Sequence, residues 1–228
     1  VKSTVSDTFA LPPADAPFVT GTSAPPPPPS SPGWGAAATA IHSIQQIPRA
    51  ILVSLSPAGS PSIAIDLRHQ EYAWAAELDE FPAHPADVAV GTYPIEPDSP
   101  RLAGETRGVD ALLWLIGVHA YPGNRASWLR VGDKYRLKWW PDLDTLPATP
   151  EQVRIIKASV KGMMTVEKLA TVAKCDVEDA HSVINGLSLM GALRRLEGKG
   201  GSPTQPMPQG RYDLPDSQRG GRHVKRGG

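Results

Sequence analysis

The chain has 228 residues, of which 25 are proline and 21 glycine, so the length able to bury a core falls well short of the total and one or two small domains are expected. Its 23 Lys and Arg balance 23 Asp and Glu, which excludes a molecule-wide attraction to nucleic acid or anionic membrane and leaves only local patches for such contacts. A single cysteine, Cys175, excludes an internal disulfide and a zinc site of several thiolates, and fits a cytoplasmic setting.

Residues 1–48 contain "LPPADAPF" and "APPPPPSSPGWG". Proline rings fix φ and remove backbone donors, so this composition predicts a disordered Pro-rich arm, with Pro25–Pro29 acting as an extended spacer.

From residue 49 the texture changes. "AILVSLSP" (50–57), "SIAIDL" (62–67), "YAWAAEL" (72–78) and "DVAVGTYPIE" (87–96) are short apolar or alternating runs separated by turn residues, which predicts antiparallel strands. "VDALLWLIGVHAY" (109–121) has almost no polar face, so it is expected as one buried helix; it is too short to cross a bilayer. "SWLRVGDKYRLKWW" (127–140) is expected as a hairpin turning at Gly132 and Asp133. Residues 49–145 are thus assigned to a small α+β domain, for which no family resemblance emerges.

Residues 146–198 read as helical. Thr149 is an N-cap candidate with Pro150 at the first helical position, and Val153, Ile155, Ile156 and Val160 form an apolar stripe. A second helix is expected to start at Thr165. A third is expected to start at Asp176 with Asp179 as its capping-box partner, burying Val177, Ala180, Val183, Ile184 and Leu187. "GALRRLEG" then reads as a strand ending at Gly198. This succession, in "MTVEKLATVAKCDVEDAHSVINGLSLMGALRRLEG" (164–198) with the helix before it, resembles a winged-helix domain at about residues 150–198. The resemblance implies a scaffold whose third helix commonly enters DNA. Here that helix carries Asp176, Glu178 and Asp179 and no Lys or Arg, so its first turn would repel a polyanion.

The motifs that cradle phosphate, bind zinc at H-E-x-x-H or raise a serine on an elbow are not found, and the histidines lack metal-ligand spacing. No catalytic residue, metal site or cofactor is therefore expected. His119, on the apolar helix, is expected in the core.

The tryptophan pair in "KYRLKWWPDLD" suits a hinge: on a strand running through both, Trp139 and Trp140 would point to opposite faces, one into the sheet domain and the other against the helical unit. Arg136, Lys138, Trp139 and Trp140 are also the candidate partner-binding residues, combining cations with aromatic anchors. Arg194 and Arg195 on the last strand, with Arg219 and Arg222 of the Gly/Arg-rich tail (199–228, expected disordered), are the candidate nucleic-acid contacts. The expectation is a non-enzymatic, bacterial-type regulatory adaptor that binds a protein partner and does not insert into membrane. The alternative is a DNA-binding transcriptional regulator using the wing arginines and the basic tail.

Overall fold

The computed structural model describes residues 33–198, so residues 1–32 of the expected arm and the expected tail at 199–228 lie outside the described residues. Within that span the chain is α+β, built on an antiparallel five-stranded sheet and a set of helices.

The end of the expected arm is corrected. Helix α1 (Gly35–Gln45) occupies it, and Trp34, Ala37, Ala38 and Ile41 are fully enclosed. The prolines that argued for an extended arm stop at Pro32, and none follows until Pro48. Between them the apolar residues fall at helical spacing on one side, which gives this stretch a face to bury.

Strands β1 (Ile51–Pro57), β2 (Ile63–Asp66), β3 (Glu71–Ala73), β4 (Val88–Pro94) and β5 (Arg107–Gly108) pair in the order β4-β1-β2-β3-β5. The expected strand at 72–78 ends early, because Trp74 leaves the ladder to donate its indole N–H to the Pro61 carbonyl at 3.1 Å. Val53 and Leu55 of β1, with Ile63 and Ile65 of β2, are completely buried.

Helix α2 (Asp110–Ala120) is enclosed on nearly every side, as its sequence demands; only Asp110 and His119 escape full burial. It packs beside α1 and against α5 (Val177–Leu189), the last of three helices that also include α3 (Pro150–Ala158) and α4 (Val166–Ala173). Gly117 and Gly186 make the α2–α5 crossing close: a Cβ on Gly117 would lie 2.6 Å from the Gly186 Cα, and one on Gly186 would lie 2.8 Å from the Trp114 ring.

The caps explain where these helices start. The Thr149 hydroxyl accepts from the Gln152 N–H at 3.3 Å while the Gln152 side chain accepts from the Thr149 N–H at 2.9 Å, and Thr165 caps α4 through the Lys168 N–H. The expected Asp176–Asp179 box is not formed: Asp176 occupies the cap position without a side-chain hydrogen bond. Val160 and Val177, expected in buried stripes, are exposed, since α3 ends at Ala158 and Val177 sits in the solvated first turn of α5.

The expected hairpin at 127–140 is also corrected. Strand β6 (Lys134–Leu137) pairs not with the preceding residues but with β7 (Leu193–Leu196), in the register Lys134–Leu196, Tyr135–Arg195, Arg136–Arg194 and Leu137–Leu193. Residues 126–129 cannot supply the other arm because they form a turn: the Leu129 N–H bonds the Ala126 carbonyl, and Trp128 donates to the Ser188 hydroxyl of α5 at 3.0 Å. On its other edge β6 meets the segment after α3, through a two-way bridge between Tyr135 and Met164. The β6–β7 ribbon and the α2–α5 crossing both span the boundary expected at 145/146, and one hydrophobic core runs from Trp34 to Ala192.

Candidate interaction site on the β6–β7 ribbon

Strand periodicity sorts the ribbon into two faces. Tyr135 and Leu137 are buried on the inner side, whereas Lys134 and Arg136, with Lys138 just beyond the strand, are exposed on the outer one. Residues paired directly across a ladder share a face, so Arg194 joins them opposite Arg136, and Leu196, 52% exposed, lies opposite Lys134. The result is a strip of cations along one face. Among the described residues none of Lys134, Arg136, Lys138 and Arg194 has a carboxylate within salt-bridge distance. Like charges directly opposite on a ladder are destabilising, by roughly 0.2–1 kcal/mol per pair.

Arg195 behaves differently. It reaches the Asp133 carboxylate at 3.5 Å and Glu197 at 3.0 Å and donates to the Trp128 carbonyl at 3.2 Å, so it ties the ribbon to the turn before β6. Asp133 is itself buried and accepts from the Gly198 N–H at 3.2 Å. Tyr135 lies beneath; burial, reinforced by the Asp133 charge, pushes its phenol up to about 12.

The hinge reading of the tryptophan pair is corrected. Strand β6 stops at Leu137, and both rings remain accessible, Trp139 at 36% and Trp140 at 50%. The pair therefore extends the cationic strip with aromatic surface. Both ends of the strip are acidic: exposed Asp142 and Asp144 follow the tryptophans, and Glu197 follows β7.

The structure thus brings Arg136, Lys138 and Arg194 onto one face with Trp139 and Trp140 next in the chain, and assigns Arg195 to a structural tie; Arg219 and Arg222 lie outside the described residues. Lys134 was missed in the sequence, although the two-residue spacing of Lys134, Arg136 and Lys138 is the signal that reveals it.

Helix α5 offers no comparable surface. Val183, Ile184, Asn185, Gly186, Leu187 and Leu189 are all buried, and α2 covers its middle. Asn185 is enclosed and satisfied, accepting from the Ala126 N–H and donating to the Asn124 carbonyl, each at 2.9 Å. Within α5 only the acidic first turn is fully exposed, with His181, Ser182 and Ser188 half-buried.

Two other clusters carry polar chemistry. Asp66, His69 and Glu71 lie close enough to suggest a metal, yet Asp66 accepts from the Arg68 backbone N–H at 2.9 Å and from its guanidinium at 3.0 and 2.6 Å, with His69 at 3.0 Å. Burial alone would raise the Asp66 carboxyl, but the hydrogen bonds from Arg68 and His69 outweigh it and hold it down to about 2. Its lone pairs are occupied and a cation stands beside it, so the cluster fits a structural clamp: Arg68 also donates to the Glu96 and Pro97 carbonyls at 2.9 Å, holding the loop after β4. His119 is half-buried in an aromatic group with Phe81 and His84, where burial, aided by His84, lowers its pKa.

Compared with protein-family models, curated proteins and solved structures, the chain matches none of them.

Proposed function

We propose that this chain is a non-enzymatic regulatory adaptor that holds an acidic, partly apolar site on a protein partner against the outer face of the β6–β7 ribbon. The observation that carries this reading is the facing of Arg136 and Arg194 beside Lys134 and Lys138, unpaired among the described residues and followed by exposed Trp139 and Trp140. Like charges placed side by side cost folding energy, and a carboxylate-bearing partner recovers that cost while the tryptophans supply desolvated contact area. The strip is short, spanning roughly 13 Å from Lys134 to Lys138, and acids close both of its ends. That shape favours a compact acidic site over a long phosphate backbone.

The second reading is a DNA-binding regulator, favoured by the same arginines because a two-stranded ribbon fits a major groove. Its usual reading helix is unavailable here, since α5 is covered by α2. Titration of the full chain against a labelled glutamate-rich peptide and a labelled DNA duplex, at low and near-physiological salt, separates the two. The adaptor reading expects peptide affinity to fall by about tenfold or more in Arg136→Glu plus Arg194→Glu. A duplex bound more tightly than the peptide, and lost in the same variant, would replace it with the DNA reading.

A further inference from the structure

The two edges of the five-stranded sheet are finished in opposite ways. Edge strand β5 has only two residues; Arg107 within it is tied to Glu77 at 2.8 Å and to the Ala76 carbonyl at 3.1 Å. That edge is short and charged, two ordinary means of preventing strand addition. Edge strand β4 is seven residues long, and its sequence, VAVGTYP, carries no charge.

Its hydrogen-bond phase can be read from the ladder ends. The Ile95 N–H bonds the Ala50 carbonyl and the Ala58 N–H bonds the Asp87 carbonyl, so Asp87, Ala89, Gly91, Tyr93 and Ile95 direct their backbone groups toward β1. Val88, Val90 and Thr92 therefore direct theirs away from the sheet, and among the described residues these groups have no backbone partner. Val88 is buried, but Val90 is half-buried and Thr92 and Tyr93 are exposed, so the open part of the edge is Val90–Pro94.

The geometry points to strand addition at β4 by a second copy of this chain, joining two sheets edge to edge. An antiparallel copy placed on a two-fold axis at Gly91 sets Val90 against the copy's Thr92 and Thr92 against the copy's Val90, each with its outward N–H and C=O in phase. Gly91 then faces itself; the space beside its Cα is taken by its own Tyr93 ring, whose hydroxyl would lie 2.9 Å from a Cβ there. In this register Asp87 lies opposite Ile95, so no charge meets a like charge, and the edge contains no charged residue that would select a foreign strand. The surface is separate from the β6–β7 ribbon, and its test does not depend on the adaptor reading.

The test is sedimentation of the full chain over a wide concentration range, with two variants. Val90→Pro removes an outward N–H that the β1 ladder does not use, at the cost of some Val90 packing on the core; Thr92→Lys places a cation on the open edge, where two copies would repel. The expected result is a dimer that dissociates on dilution in the wild type, and monomers at every concentration in both variants with unchanged circular dichroism. Should Val90→Pro fail to fold, Thr92→Lys alone decides. A wild type that is monomeric throughout, or a dimer indifferent to the folded variants, overturns the inference. A monomer whose Val90 and Thr92 amides resist hydrogen exchange also overturns it, assigning the edge to another part of the same chain.

Discussion

Helix α5 and the β6–β7 ribbon are neighbours, joined by the Trp128 side chain and by the short link from Leu189 to Leu193, yet they treat solvent in opposite ways. The helix buries its middle against α2 so closely that two glycines meet, and its one enclosed polar side chain, Asn185, is satisfied. The ribbon leaves its outer cations and the two following tryptophans in water. A residue pattern that resembles a DNA-reading scaffold therefore says little about which surface is left open to solvent. Which face the rest of the chain covers decides that.

The largest expected effect breaks the buried side of this comparison. Gly117→Val would drive a side chain into the Gly186 backbone, which cannot yield without separating α2 from α5. A loss of about 3 kcal/mol or more, or failure to fold, is expected in thermal or urea denaturation.

Asp66 sharpens the contrast from another direction, because its charge is buried and paired, where Lys134, Arg136, Lys138 and Arg194 on the ribbon's outer face are exposed and unpaired among the described residues. Asp66→Asn weakens a clamp that several hydrogen bonds hold, and a loss of about 2–4 kcal/mol is expected at neutral pH. The carboxyl pKa is depressed on folding, from 3.8 to about 2. Its contribution is therefore complete above about pH 5 and fades as pH falls through 3.8 toward 2. Stability curves of wild type and variant should converge as pH drops across that range.

Asn185→Ala removes the acceptor for the enclosed Ala126 N–H and should cost about 1–3 kcal/mol, measured by the same denaturation. The smallest effect, with opposite sign, belongs to the ribbon. Arg194→Ala relieves the opposition to Arg136, so stability should hold or rise by about 0.2–1 kcal/mol while peptide binding weakens. A residue retained for packing would not show that split.

Much of the fold is legible in the residues. The strands of β1, β2 and β4, the buried helix α2 and the Thr149 and Thr165 caps follow from apolar patterning and capping chemistry, which are local properties. The pairing of β6 with β7 is not local: a two-residue turn signal at Gly132–Asp133 points to the nearer strand, and the turn at 126–129, with Trp128 anchored on α5, removes that partner. The ribbon's cations were half visible. Arg136, Lys138 and Arg194 stood out as residue types, but their shared face needed the register. The exposure of both tryptophans needed the end of β6 at Leu137, and proline content concealed α1 because the composition changes within the expected arm.

On the proposed function the ribbon, and not α5, meets the partner. This is tested most directly by quantifying proteins captured by the full chain and by two charge-altered variants, Arg136→Glu with Arg194→Glu on the ribbon and Glu178→Lys with Asp179→Lys on the first turn of α5. The expected result is a specific partner that is lost with the ribbon variant and kept within about twofold by the α5 variant. A partner lost with the α5 variant and kept by the ribbon variant would contradict it.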